Sequence, residues 1–433
     1  MKKLTCILVC FLLAFGVFAK SEPEEQPPLS LSLAVEGDWD ADGNPDTPQL
    51  YYAGYVAKEF TNLTGIDVKI VSVKSDDNTT KRLEAMIMAG LIPNVYSDYG
   101  GRVGLFTASR KDVFDGRVQA VALDEYLPER ILVKYFPDYL AMFSHSGHVY
   151  ALPLTSWAVV GHLNRTLVKQ AGMEFILDDG IVTYDEVEAV TKKLGEGYYA
   201  TSVFAKQSGG DYWIIDYWLA GHGARMYDEN RNLVVNNPQA VAALTLMKRW
   251  YAEGLIPFGV VADGPGEFIA NIEAKKLVSF TYGLDARPEE VRGWDNMHFR
   301  GVSLQGIEKI PVATGVDAVL AFKVDDEEKQ RAAVKLVEHI ASAKYQQFRV
   351  DVQQRFPSMF NINVKTGSPN HQIMVDNLEK NGVFDHGVGT AYYQEIRAEW
   401  LLMIQKILTG EESIEIALAT MQENGNKIIA KYR

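Results

Sequence analysis

Between Val149 and Trp157 the chain carries the run Val149-Tyr150-Ala151-Leu152-Pro153-Leu154-Thr155-Ser156-Trp157, which reads as extended yet is broken by a proline. Pro153 has no N–H to give a sheet ladder and holds its φ at about −65°. Ser144, Ser146 and Gly147 precede the run, and Ala158, Val159 and Val160 follow it as a second strand-like piece. Two readings fit: an ordinary edge strand, or a chain leaving one sheet for another. The flanking sequence separates them, because strand–helix alternation occurs on both sides.

Upstream, Leu29 to Val35 alternates as a strand and Gly37 to Pro48 is an Asp/Gly loop. Leu50 to Phe60 follows as a helix with Tyr51, Tyr55, Val56 and Phe60 toward its packed side. Gly65 ends that helix. Ile66 to Val73 is a strand, Asn78 or Thr79 caps a helix through Met88, and Asn94 to Tyr96 is a third, short strand. This order predicts a parallel sheet covered by helices. Ligands of such sheets sit beyond the carboxyl ends of the strands, here Glu36 to Trp39, Ser75 to Asp77 and Ser97 to Gly101. Downstream, Thr183 and Glu186 form a T-x-x-E capping box for a helix to Leu194. Strands are expected at Tyr198 to Phe204, Leu277 to Tyr282 and Val316 to Phe322. Helices are expected at Tyr212 to Leu219, Pro238 to Ala252, Phe268 to Lys276, Asp326 to Ser342, Ala343 to Val352, Ala391 to Leu408 and Ser413 to Ala430. Two sheet-bearing halves with interleaved segments result.

The first residues form a secretory leader. Lys2 and Lys3 supply the charge, Leu4 to Phe18 the apolar stretch, and Val17-Phe18-Ala19 the cleavage site. That stretch is shorter than the ~20 residues a spanning helix needs. Residues 1–19 are expected to be a cleaved signal peptide and 20–28 a flexible leader, with the mature chain outside the cytoplasm. Cys6 and Cys10 both lie in the signal, so the mature chain has no thiol for a disulfide, a metal or a nucleophile. Net charge is −13, and −15 once Lys2 and Lys3 leave. That disfavours nucleic acid and anionic membranes as partners.

Several segments resemble the extracellular solute-binding proteins of ABC importers, in particular the sugar-binding branch that includes maltose-binding protein. Phe60-Thr61-Asn62-Leu63-Thr64-Gly65-Ile66-Asp67-Val68 is similar to "F-x-x-x-T-G-I-x-V". Ala89-Gly90-Leu91-Ile92-Pro93-Asn94-Val95 is similar to "A-G-x-x-P-D-V", with Asn94 for Asp. Tyr150-Ala151-Leu152-Pro153 with Leu163-Asn164-Arg165 resembles "Y-A-L-P…L-x-Y-N-K". Thr183 to Glu186, Phe268 to Ser279 (Ala274 replacing a glycine), Ala332 to Phe348 and Trp400 through Leu418 resemble further family segments, in family order. The resemblance covers nearly the whole mature chain. It implies an α/β, two-lobe periplasmic binding protein fold of type II, the venus-flytrap, with interleaved lobes and a multi-stranded hinge. The lobes would be 29–154 with 313–353, and 158–310 with 357–433. Crossings would lie at Leu154 to Trp157, Ile310 to Gly315 and Phe356 to Ser358. It also implies a periplasmic monomer without cofactor or catalysis, which closes on a sugar or oligosaccharide and presents it to an ABC permease.

Sugar rings offer apolar C–H faces and hydroxyl rims, so recognition calls for flat aromatic platforms beside fixed polar groups. Candidates at strand ends and crossings are Asp38, Trp39, Asp98, Tyr99, Thr155, Trp157, Asp211, Tyr212, Trp213, Tyr282 and Trp294, with Tyr392 and Tyr393 behind them. Gly209 and Gly210 would let the backbone before Asp211 approach a ligand.

Asp38, Asp40, Asp42 and Asp46, with Gly43, resemble the first half of a calcium loop, but Gln49 stands where a bidentate Glu belongs. A solvated Asp/Gly turn is the plainer reading. His145-x-x-His148 has spacing compatible with a metal and, with no carboxylate nearby, reads better as structural. There is no G-x-S-x-G, H-E-x-x-H, P-loop or dinucleotide glycine motif in context. The alternatives left open are a polyamine or peptide ligand on the same fold, a sensor role, and a secreted glycoside-active enzyme, for which Asp and Glu are plentiful.

Overall fold

Leu31, Leu33 and Val35 bury into one core of the protein, and Ala34 between them into another. A strand that hides both faces needs cover on both. The computed structural model describes residues 28–36, 52–73, 79–107, 120–158, 160–178, 181–206, 215–282, 296–302, 312, 314–353, 355–364, 375–376 and 378–433. The first part runs β1 (Ser30–Glu36), α1 (Tyr52–Thr64), β2 (Asp67–Val73), α2 (Thr79–Met88), β3 (Val95–Tyr99) and the single turn α3 (Gly100–Val103). A hairpin, β4 (Ser144–His145) and β5 (His148–Val149), precedes β6 (Leu152–Ala158) and β7 (Val160–Asn164). Then come β8 (Ile181–Thr183), α4 (Tyr184–Leu194), α5 (Pro238–Ala252), α6 (Pro265–Glu273), β9 (Ser279–Tyr282) and β10 (Asn296–Val302). The last part is β11 (Thr314–Ala321), α7 (Glu327–Ile340), α8 (Ala343–Gln353), β12 (Phe356–Pro357), α9 (Tyr393–Thr409) and α10 (Ile414–Ala430).

Two main sheets result. The first has six strands in the order β12-β6-β11-β3-β1-β2, and the second four in the order β8-β10-β7-β9. β1 pairs in parallel with both β2 and β3, as strand–helix alternation requires. α1 buries Ala53, Val56, Ala57 and Phe60 and stops at Gly65, whose φ is 73° and whose N–H reaches Thr61 O at 2.8 Å; glycine suits that left-handed end. Tyr55, expected on the packed side, is 47% exposed. It lies about 100° around the helix from Val56 and stacks on Phe348, centroids 5.9 Å apart. β3 extends to Tyr99, past the expected Tyr96, because β11 pairs antiparallel along its other edge from Ala321↔Val95 to Asp317↔Tyr99.

The stretch around Pro153 belongs to β6, which is paired on both edges, to β11 and to β12. Its irregularity is a bulge. Ser156 faces Val316 and Pro153 faces Ala318, so Leu154 and Thr155 together oppose the one residue Asp317. A proline that cannot donate and a two-for-one register are natural companions. Held on both sides, the chain stays in the first sheet to Ala158, and the passage to the second sheet falls at residues 158–160, just beyond the expected Leu154 to Trp157.

In the second part the capping box at Thr183 and Glu186 forms as expected, and α5 spans Pro238–Ala252 as read from the sequence, with Asn237 capping it. Tyr198 to Phe204 is not a strand. Its backbone bonds go to different segments, Tyr199 to Lys276 and Val278, Ala200 to Leu255 and Ser279, so no ladder builds. Where a helix was expected at Tyr212 to Leu219, the described part, Ile215–Leu219, is a π-helical turn followed by a 3₁₀ turn, Ala220–His222. The sheets have separate cores. Leu31, Leu33 and Val35 with α1 and α7 fill one face of the first sheet, and α2 with Tyr96 and Phe106 the other. A larger cluster built on α4, α5, α9 and α10 fills the second part.

Candidate functional site

β1 and β3 end side by side, and a cluster of charges gathers there. The Arg102 guanidinium, one turn into α3, lies 2.7 Å from Glu36 Oε1 and 2.8 Å from Asp98 Oδ1. Asp98 sits four residues before it, so the first turn after the strand brings the pair together. The Asp98 side chain is fully enclosed. It also accepts from the Tyr96 hydroxyl at 2.5 Å and from the Tyr99 N–H at 2.5 Å. Burial pushes its carboxyl up to about 8, with Glu36 adding to the rise while Arg102 and Tyr96 pull the other way. Tyr96, buried against that carboxylate, is raised as well. Across the bulge, Asp317 is ion-paired with Arg349 of α8, both nearly enclosed. Asp317 and Arg349 border a cavity of about 180 Å³, whose apolar side includes Val35 and Val56.

Beside this cluster, aromatic rings join the first sheet to the second core. Tyr99 lies 6.3 Å from Trp157 and 6.3 Å from Tyr393 at the start of α9. The Tyr99 and Tyr393 hydroxyls are 2.9 Å apart, and Gln394 Nε2 donates to Gly101 O at 3.1 Å. The chain accommodates these rings by omitting side chains. A Cβ on Gly315, opposite Trp157 in β11, would fall 2.0 Å from the indole, and one on Gly101 would fall 2.6 Å from both Tyr99 and Tyr393.

Of the residues proposed from sequence, Asp98, Tyr99 and Trp157 therefore come together, Asp98 buried and the other two half-buried. Thr155 stands in the same strand but is fully enclosed, and its hydroxyl has no hydrogen-bond partner among the described residues. Tyr282 ends β9, paired with Val160 at the start of β7. Asp38, Trp39, Asp211, Tyr212, Trp213 and Trp294 lie outside the described residues, as do Asp40, Asp42 and Asp46 of the calcium-like loop. Tyr392 and Tyr393 are both buried. The expectation that no carboxylate approaches His148 is corrected. The Ser146-Gly147 turn, with φ of 51° and 84°, folds the β4–β5 hairpin and sets His148 Nδ1 2.9 Å from Asp124 Oδ2. That pair stands alone: no group of three metal-capable side chains occurs among the described residues. Sequence reasoning missed Arg102, Asp317 and Arg349. Arg102 could have been found from its four-residue spacing to Asp98 beyond a strand end. Arg349 carried no local signal, since its partner is 32 residues away.

A family model described as bacterial extracellular solute-binding protein matches residues 44–347. The chain belongs to that family. No curated protein matches it in sequence. Among solved structures, this solute-binding protein is similar in fold to the cyclic alpha-maltosyl-1,6-maltose binding protein from Arthrobacter globiformis (15% identity, TM-score 0.72, 94% of this chain and 100% of the other). It is likewise similar to an ABC substrate-binding protein from Listeria monocytogenes in complex with cycloalternan (17%, TM-score 0.69, 93% and 100%). A third is the GacH receptor of Streptomyces glaucescens, determined unliganded and with acarbose (17%, TM-score 0.69, 94% and 100%). At these identities the likeness is one of fold, the two-lobe binding-protein architecture. It accounts for the two sheets of this solute-binding protein.

Proposed function

We propose that this protein captures a sugar or oligosaccharide between two lobes and delivers it unaltered to the membrane subunits of an ABC importer. The observation that carries the reading is the half-buried pair Tyr99 and Trp157, set beside the Asp98–Arg102–Glu36 cluster at the strand ends. Flat rings and fixed charged hydrogen-bonding groups are the two things a sugar face and its hydroxyl rim require. Asp98, Tyr99 and Trp157 serve as ligand groups in this reading, with Tyr282 at the lobe boundary and Asp38, Trp39, Asp211, Tyr212, Trp213 and Trp294 as further contacts. One lobe comprises 29–154 and 313–353, the other 158–310 and 357–433. Ligand closes them about the strands between, as in hinged binding proteins. The protein works as a monomer outside the cytoplasm after loss of residues 1–19, binds no nucleic acid and catalyses no reaction on its cargo.

A thermal-shift screen over mono- and oligosaccharides, polyamines, peptides and calcium tests this. At least one carbohydrate should raise the melting temperature, with the carbohydrate recovered intact. A shift with a polyamine or peptide and none with sugars would overturn the sugar assignment, and cleavage of the carbohydrate would overturn the binding-only role.

A further inference from the structure

Against β12, the edge strand of the first sheet, lies a cavity of about 530 Å³ that shares no residue with the one bordered by Asp317 and Arg349. Its volume falls within the roughly 300–1,000 Å³ of pockets that enclose a small ligand. Four aromatic rings line it: Phe136, Tyr139, Phe356 and Phe360. Tyr139 and Phe356 are buried. The Tyr139 hydroxyl is 2.7 Å from Ser156 Oγ, and Phe356 is the partner of that same Ser156 in the β12–β6 ladder, so both rings are held by β6. Phe136 and Phe360 meet edge to face with centroids 4.4 Å apart, and Phe360 stays 45% exposed. Among the described residues, the charged side chains that line the cavity are Asp138 and Glu379. They come from different segments and gather at one edge. Asp138 Oδ2 lies 4.0 Å from where a Cβ on Gly382 would stand, and Glu379 precedes Gly382 by three residues in the segment closed by the Gly382 N–H to Leu378 O bond of 2.9 Å. Neither carboxylate has a hydrogen-bond or ion-pair partner among the described residues. Aromatic faces attract cations, and two unmatched carboxylates act in the same sense. A bare metal ion would leave the rings unused, and an anion would be repelled by both acids.

We propose that this cavity is a second binding site, for a small organic cation: an alkylated ammonium group carried on an apolar body. The body lies against the enclosed rings of Tyr139 and Phe356. The ammonium lies between the Phe136–Phe360 pair and the carboxylates of Asp138 and Glu379. Tyr99 and Trp157 are not among the walls, so the site stands apart from the one proposed for sugar and does not depend on that reading.

The test is titration calorimetry on the full mature chain with benzyltrimethylammonium, which has both charge and body. Tetramethylammonium supplies the charge without the body, and benzyl alcohol the body without the charge. Benzyltrimethylammonium should bind about ten-fold or more tightly than either. Asp138→Asn combined with Glu379→Gln changes two exposed side chains and should weaken that binding about ten-fold while the melting temperature holds. Phe360→Ala should weaken it by several-fold, and Trp157→Ala should leave it unchanged. Absence of binding, equal affinity for benzyl alcohol, or wild-type affinity in the doubly neutralised chain overturns the proposal. So does binding that Trp157→Ala abolishes and Phe360→Ala spares, because the cation would then rest on the rings assigned to sugar. Each of these results is read without any carbohydrate present, so sugar capture stands or falls on the thermal-shift screen alone.

Discussion

Around Tyr184 the second core encloses Trp218, Trp250, Tyr217 and His222, with Trp218 stacked 5.6 Å away and His222 5.0 Å away. Around Asp98 the first sheet gathers Glu36, Arg102 and, across the cavity, Asp317 with Arg349. Both neighbourhoods are buried and both hold titratable groups. In the aromatic one, burial drives the histidine down to about 4, and its Nδ1 sits 2.7 Å from the Trp218 carbonyl, so the group is neutral and the core is packed. In the other, the ion pairs of Arg102 and Arg349 are kept, burial raises the Asp98 carboxyl, and a cavity is left beside Asp317. Burying charge is costly unless it is paired, and apolar residues of similar volume would serve folding as well or better. The difference separates a region shaped by stability from one that the proposed function assigns to ligand.

The largest expected effect falls on the aromatic side. Trp218 is fully enclosed, so Trp218→Ala should cost about 3–5 kcal/mol in denaturant unfolding, with ligand affinity of the surviving fold unchanged. A loss under about 1 kcal/mol would mean that this core is loose and the contrast false. Next is Arg102→Met, which leaves Asp98 and Glu36 facing each other without their shared cation. Breaking a buried pair costs roughly 3–5 kcal/mol, and since the Arg102 side chain is 20% exposed, about 3 kcal/mol or less is expected. Ligand affinity should fall with it, unlike in the Trp218 variant.

How much of each region was legible in the sequence follows from the range of the interactions. The alternation that set β2-β1-β3 in parallel is local, and so are the capping box at Thr183 and the α5 boundaries. The strand ends were likewise legible, which is why Asp98 and Tyr99 were found. Arg349 and Asp317 meet only because β11 enters the sheet next to β3 and α8 packs over it, contacts that leave no periodic trace. Pro153 signalled a break, but the sequence could not distinguish a departure from the sheet from a bulge, because the strands that hold β6 on both edges lie more than 150 residues further along. Tyr198 to Phe204 failed for a related reason: an extended segment becomes a strand only when a neighbour pairs with it over several successive residues.

The two regions should also answer pH in opposite senses. Asp98 is raised from 3.8 to about 8, so between those values the folded state binds a proton that the unfolded chain has lost. Its contribution to stability is present below about pH 4 and is lost as pH rises toward 8, at up to about 1.4 kcal/mol per unit. His222 is lowered from 6.5 to about 4, so its contribution is present above 6.5 and is lost as pH falls toward 4. Between pH 6.5 and 8 the His222 contribution is fully present and constant, and of the two only the Asp98 contribution changes with pH. Asp98→Asn should flatten the fall in unfolding free energy across that window, and His222→Gln should not. Equal slopes in wild type and Asp98→Asn would show that Arg102 and its neighbours keep Asp98 ionised in spite of burial.

The smallest effect tests the joint between the regions. The Tyr99–Tyr393 hydroxyl contact at 2.9 Å ties the end of β3 to the start of α9, and a hydrogen bond of this kind contributes about 0.5–1.5 kcal/mol. Tyr99→Phe removes that bond and keeps the ring, while Tyr99→Ala removes both. If the ring is the ligand's platform, the phenylalanine variant should lose at most about 1 kcal/mol of stability and bind within a few-fold of wild type, and the alanine variant should lose binding by roughly ten-fold or more, as stacking worth over 1.4 kcal/mol implies. If the bond itself matters because it holds the sheet and α9 in one arrangement, Tyr99→Phe alone should shift affinity as far as Tyr99→Ala does. Measuring both variants by unfolding and by calorimetry therefore distinguishes a surface that ligand rests on from a strut whose release changes how the two halves approach.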